Sequence, residues 1–299
     1  MNNLVRILFF GNIFYAICAV AMCIESNLLH GLSINHFPFY LLIFFCSWIY
    51  YTMIYVRSSV AKATSPINVW YRNNLHALKI LLWIVGFMVI AMAVFFFSIH
   101  YSAILQLTFW QWIFLASVPA SGVFYTFNLP IPYFKKFRQV GWLKPFIIGY
   151  TWSGWVTLFP ILTWQLQYGS GASPLFPQPL VWLQNFLFVS VLAIIFDVKD
   201  YAIDSRKKLK TIPAQVGIQP AYRFIILPLT VVTIGITIWM QLALAFTFAQ
   251  IIIQLIPFAL LLVEVTRKPR QRNVFYYLAY IDGLMLLKAI TGIISVLYF

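Results

Sequence analysis

Residues 77–97 read ALKILLWIVGFMVIAMAVFFF, a run in which the one charged side chain is Lys79. A helix that crosses the hydrocarbon core of a bilayer needs about 20 mostly apolar residues, and this run supplies them without interruption. Outward from it in both directions, similar runs recur at roughly 4–24, 37–56, 108–128, 145–164, 180–196, 222–240, 243–263 and 276–298. Strands of a membrane barrel would alternate apolar and polar positions over about ten residues. Continuous apolarity of this length predicts helices, which satisfy their own backbone hydrogen bonds inside lipid.

Composition agrees. The chain of 299 residues is 63% hydrophobic and 9% charged, where a soluble domain is about 25% charged. A water-soluble globule, a disordered chain, a collagen and a disulfide scaffold are all excluded. Cys18, Cys23 and Cys46 fall inside apolar runs without a spaced partner, so neither a zinc site nor a disulfide framework is expected. The first run is too long for the apolar core of a signal peptide, and only Arg6 marks its start, so it is expected to be a retained helix. The expectation is one all-α, polytopic membrane domain over residues 1–299, with nine transmembrane helices and no soluble domain.

A net charge of +14, from twenty Lys and Arg against six acids, would suit nucleic acid if the charges formed one surface. Instead most lie in short gaps between apolar runs, as cytoplasmic loops of membrane proteins require, and no nucleic-acid partner is expected. The gaps at 25–36, 98–107, 165–179 and 241–242 contain no Lys or Arg. The alternate gaps hold Arg57, Lys62 and Arg72; Lys135, Lys136, Arg138 and Lys144; Lys199, Arg206, Lys207, Lys208 and Lys210; and Arg267, Lys268, Arg270 and Arg272. The positive-inside rule then places the N-terminus in the cytoplasm and the C-terminus on the opposite side.

The acids are few enough to take singly. Glu25 falls in the first outer gap, and Glu264 and Asp282 flank the last basic loop. Asp197, Asp200 and Asp204 stand together where the sixth run ends, and their spacing puts them within about 60° on one helical face. Three carboxylates on one face repel unless a cation neutralises them, and hard oxygen ligands so spaced suit Mg²⁺ together with phosphate oxygens. A solvated, self-neutralised loop is the plain alternative, with Asp204 and Lys208 in the favourable acid-first order.

The segment from Asp197 through Asp204 to Lys210-Thr211-Ile212-Pro213-Ala214 resembles the second aspartate motif of the UbiA-type membrane prenyltransferases. Tyr125-Thr126-Phe127, with Lys135 and Lys136 after Pro130 and Pro132, looks like that family's fourth helix and basic loop, and Asp282-Gly283-Leu284 also fits. The resemblance implies a nine-helix bundle around a central cavity. It also implies an isoprenoid passed from a prenyl diphosphate to a lipophilic acceptor, and residence in a bacterial inner membrane. Carried over by position, Asp197, Asp200 and Asp204 would hold Mg²⁺, while Lys135, Lys136 and Lys210 would contact diphosphate. Tyr125 and Asp282 are further candidates.

One part of the pattern is missing. Where a first aspartate motif would stand, the chain reads Tyr50-Tyr51-Thr52-Met53-Ile54-Tyr55-Val56-Arg57, and no acid occurs from Ser26 through Phe196. A guanidinium can grip phosphate without metal, so Arg57 is a candidate for the diphosphate, or else a positive-inside anchor. The alternative to an enzyme is a non-catalytic isoprenoid- or lipid-binding protein or a subunit of a membrane complex. A transporter finds little support. Lys288 lies about 12 residues into the last run, roughly 18 Å deep, where an ionisable group usually faces the protein interior; it would serve a buried acceptor or ligand, or snorkel outward.

Overall fold

The computed structural model describes residues 3–59, 65–126, 141–169, 179–206, 210–267 and 272–299, and among these no strand occurs. The first apolar run is broken: α1 (Asn3–Phe10) and α2 (Ile13–Leu29) meet at a 58° bend. Asn12 sits at the break with φ 58°, in the left-handed region that asparagine tolerates better than most residues. Its Nδ2 donates to the Tyr71 hydroxyl at 2.6 Å, and Trp48 Nε1 donates to the Gly11 carbonyl at 2.8 Å. The Gly11 carbonyl and the Asn12 side chain at the break are thus bonded to neighbouring helices.

Next come α3 (Phe37–Ser59), the short α4 (Pro66–Asn73), α5 (Leu75–Ile99) and α6 (Phe109–Thr126). They are followed by α7 (Gly141–Tyr168), α8 (Pro179–Arg206), α9 (Ile218–Ala243), α10 (Phe248–Thr266) and α11 (Val274–Tyr298). Seven of these helices are long and apolar enough to cross a bilayer, or eight spans if α1 and α2 count as one. The run expected at 108–128 is α6, whose apolar part, Phe109–Phe124, is shorter than a full span. Nine full spans are therefore not reached among the described residues.

Three expectations change. The first helix runs to Leu29, so Glu25 is a buried helical residue rather than part of an outer loop. The helix of the sixth run extends beyond 196: α8 continues to Arg206, and all three aspartates stand on it as their spacing predicts. The gap expected at 241–242 lies later, because Thr247 and Gln250 form a capping box that starts α10 at Phe248.

Burial separates central from peripheral helices. In α7 and α8 61% of the span is buried, against 6% in α5, whose Trp83 and Phe87 face outward as lipid-facing side chains would. α7 and α8 pack closely because residue 149 is glycine: a Cβ there would overlap the Ser190 side chain and the Phe186 carbonyl. Two helices widen into π turns, Gly154–Leu158 in α7 and Tyr222–Ile226 in α9, each two residues before a proline, Pro160 and Pro228. Proline supplies no N–H to the preceding turn, and a π turn is one way a helix absorbs that loss. A third π turn, Tyr277–Ile281, has no proline after it and ends beside Asp282.

Candidate functional site

A cavity of about 1560 Å³ opens between the basic loops' end of the bundle and its interior. Tyr15, Tyr51, Trp152, Val189 and Leu192 form part of its apolar and aromatic wall. Its charged residues come from four places: Arg6 on α1, Lys144 near the start of α7, Asp197, Lys199 and Asp200 on α8, and Arg272 with Asp282 at the start of α11. A smaller apolar cavity of about 530 Å³ lies beside it and shares Tyr51, Ile54, Lys144, Ile148 and Trp152.

Of the three α8 aspartates, Asp197 and Asp200 line the cavity and Asp204 does not. Asp197 is buried, and its Oδ1 accepts from Lys144 Nζ at 2.5 Å. Its Oδ2 has no hydrogen-bond partner. Asp200 stays 40% exposed, with Lys199 Nζ 3.5 Å away. Asp204 is buried and accepts from Thr211 Oγ1 at 3.2 Å. Thr211 precedes the helical turn Ile212–Val216, in which Pro213 is pre-set for a helix start. The Lys-Thr-Ile-Pro segment therefore folds back onto Asp204, which does not line the cavity.

Asp282 is buried in the cavity wall, and its Oδ2 accepts from the Tyr15 hydroxyl at 2.5 Å. Tyr15 stacks on Tyr51 with ring centroids 4.5 Å apart, and the Tyr51 hydroxyl accepts from Trp152 Nε1 at 2.6 Å. Outside the spans, burial pushes the Tyr71 phenol up, which keeps it neutral as the partner of Asn12.

The other expected site residues scatter. Arg57 is exposed in the last turn of α3 and is not part of the cavity lining. Lys210 is exposed, and its carbonyl accepts from Gln215 Nε2 at 2.7 Å. Lys135 and Lys136 lie outside the described residues, as does the side chain of Tyr125, whose backbone is helical in α6. Lys288 neither snorkels nor lines the cavity. It is buried, and its Nζ donates to both carboxylate oxygens of Glu25 at 2.8 Å. Lys144, Lys199 and Arg272 were legible only as positive-inside charges and Arg6 only as the charge at the start of the first run, since nothing in sequence links Lys144 with Asp197, 53 residues on.

The carboxylates fit Mg²⁺ poorly. Among the described residues no three His, Cys, Asp or Glu side chains are grouped to hold a metal ion. The unpartnered Asp197 Oδ2 is an atom that a cation would satisfy, yet the opposite oxygen already holds an ammonium.

The chain is an integral membrane protein whose helices enclose a cavity charged at one end and aromatic within. Its fold is the UbiA fold. Superposition on the structure of a digeranylgeranylglyceryl phosphate synthase covers all of both chains at TM-score 0.60 and 14% identity. A UbiA homologue from Archaeoglobus fulgidus, solved bound to GPP and Mg²⁺, matches 96% of this chain and 99% of its own at TM-score 0.56 and 12% identity. No protein-family model and no curated protein sequence matches.

Proposed function

We propose that this chain is a prenyltransferase-like membrane protein that binds an isoprenoid diphosphate and passes its prenyl group to a lipophilic acceptor. The observation that carries the proposal is one cavity with Lys144, Lys199, Arg6 and Arg272 at its charged end and Tyr15, Tyr51 and Trp152 inside. Cations suit a diphosphate head, and aromatic faces suit both a prenyl chain and the cationic character of a reacting allylic carbon. In the transfer, the bond between C1 and the diphosphate oxygen breaks and its electron pair leaves with diphosphate. The acceptor's nucleophilic atom bonds C1, and the proton it loses goes to a cavity carboxylate, with Asp200 the most open. No step is routed through Mg²⁺. The topology that accompanies this function has the N-terminus and the charged end in the cytoplasm, in a bacterial inner membrane.

A non-catalytic isoprenoid- or lipid-binding role, as a subunit of a membrane complex, is favoured by the Lys144–Asp197 pair. That pair commits to an internal contact the first carboxylate of the resembled metal motif. The test is incubation of the purified chain in nanodiscs with geranyl diphosphate and a lipid extract as acceptor source, measuring diphosphate release. Release that falls in Asp200→Asn supports transfer. Binding without release selects the non-catalytic role, and absence of binding sinks both.

A further inference from the structure

We infer that the charged end of the cavity holds a diphosphate through the chain's own cations, with Arg6 and Arg272 as its two guanidinium grips, and that this binding needs no Mg²⁺. The inference rests on the isoprenoid diphosphate proposed above and names how its head is held.

Four cations and three carboxylates line the cavity, and the partners of the carboxylates are visible. Asp197 is taken by Lys144, Asp200 lies beside Lys199, and Asp282 accepts from Tyr15. Arg6 and Arg272 remain, and among the described residues neither has a carboxylate within ion-pair distance. They come from opposite ends of the sequence, on α1 and just before α11, and reach the same cavity. The Arg272 guanidinium carbon lies 5.5 Å from the Tyr276 ring centroid. Stacking of this kind orients the planar group while leaving its N–H edges to a ligand.

A bound magnesium ion does its work by letting carboxylates and a diphosphate share one place. Here Lys144 would have to leave Asp197, and Asp204 would have to leave Thr211, before α8 could offer such a place. Direct capture by guanidinium needs neither rearrangement. A planar fork matches two phosphate oxygens at once, and two forks match a diphosphate.

The experiment is titration of the full chain, in nanodiscs of zwitterionic lipid, with geranyl diphosphate in EDTA and then in Mg²⁺. Inorganic diphosphate is the head-only competitor, and nanodiscs containing phosphatidic acid are the headgroup control. The expected result is binding in EDTA that Mg²⁺ does not strengthen. Arg6→Gln and Arg272→Gln should each weaken it about tenfold or more, the scale of a lost charge-assisted hydrogen bond. Both arginines are exposed, so both variants should fold. Arg223→Gln removes an exposed cation that does not line the cavity and should change nothing. Binding only in Mg²⁺, or binding indifferent to both arginines, overturns the inference and leaves the isoprenoid reading standing. Competition by phosphatidic acid stronger than by inorganic diphosphate overturns the diphosphate assignment in favour of a lipid headgroup. No binding in either condition overturns the isoprenoid reading along with it.

Discussion

The Glu25–Lys288 pair offers the sharpest energetic test. Each side chain is 2% exposed, and the ammonium donates to both carboxylate oxygens at 2.8 Å. Replacing Lys288 by Met keeps volume and helix propensity but strands a carboxylate where neither water nor lipid solvates it. Removing one partner of a buried pair costs about 3–5 kcal/mol, whereas replacing both by neutral groups is often close to neutral. Lys288→Met should therefore lower the unfolding free energy by about 3–5 kcal/mol. Glu25→Gln/Lys288→Met should recover much of that loss, with a coupling of up to about 3 kcal/mol. The assay is SDS titration of wild type, both single variants and the double variant in bicelles. Single variants within about 0.5 kcal/mol of wild type, or a double variant equal to the sum of the singles, would refute the reasoning. Gly292→Ala probes the same contact from the side, because a Cβ there would stand 2.5 Å from Glu25 Oε1.

Other outcomes can be stated briefly. His30, buried just past the end of α2 with Nδ1 2.6 Å from the Ser26 carbonyl, has its pKa lowered by burial. The unfolded chain therefore binds that proton more readily. The contribution of His30 to stability is present above about pH 6.5 and lost as pH falls below it. Melting temperature should drop on acidification, and the drop should be smaller in His30→Gln. Gly149→Val should destabilise by about 1–3 kcal/mol in thermal unfolding, since α7 and α8 leave no room beside Ser190 and Phe186. Lys144→Met leaves Asp197 buried without its cation. Lys144 is itself 29% exposed, so the loss is discounted to about 1–3 kcal/mol. Freeing that carboxylate should also make geranyl diphosphate binding more responsive to Mg²⁺, read by repeating the titrations with and without EDTA.

Membrane spans were legible because the signal is local: a run such as 77–97 announces a helix by its own apolarity, whatever packs against it. Helix ends were less legible. Glu25 looked like a loop residue because apolarity faded before it, yet α2 continues since Lys288 neutralises the carboxylate from a helix 263 residues away. The aspartate motif was legible in part. Spacing correctly put Asp197, Asp200 and Asp204 on one helix but could not show that Lys144 and Thr211 divide them. Cavity composition was hidden for the same reason, since Arg6 and Arg272 come to line one cavity only through the packing of the first and last helices.

Polar groups are placed differently at the two ends of the bundle. Away from the cavity, neutral side chains tie neighbouring helices together. Asn185 donates to Thr157 between α8 and α7, and Gln184 donates to Thr237 between α8 and α9. Gln241 then donates to Gln254, which donates to Ser295, joining α9, α10 and α11. The Glu25–Lys288 pair closes the circuit from α11 to α2. Interhelical bonds of this kind are worth roughly 0.6–2 kcal/mol each in a membrane, and they hold where helix packing has no hydrophobic drive. At the cavity end the polar groups carry formal charge, and several stay open to a ligand. Together the links away from the cavity join α7, α8, α9, α10, α11 and α2 in one chain of contacts. At the cavity end one charged pair, Lys144–Asp197, links α7 to α8, while Arg6 and Arg272 stay exposed.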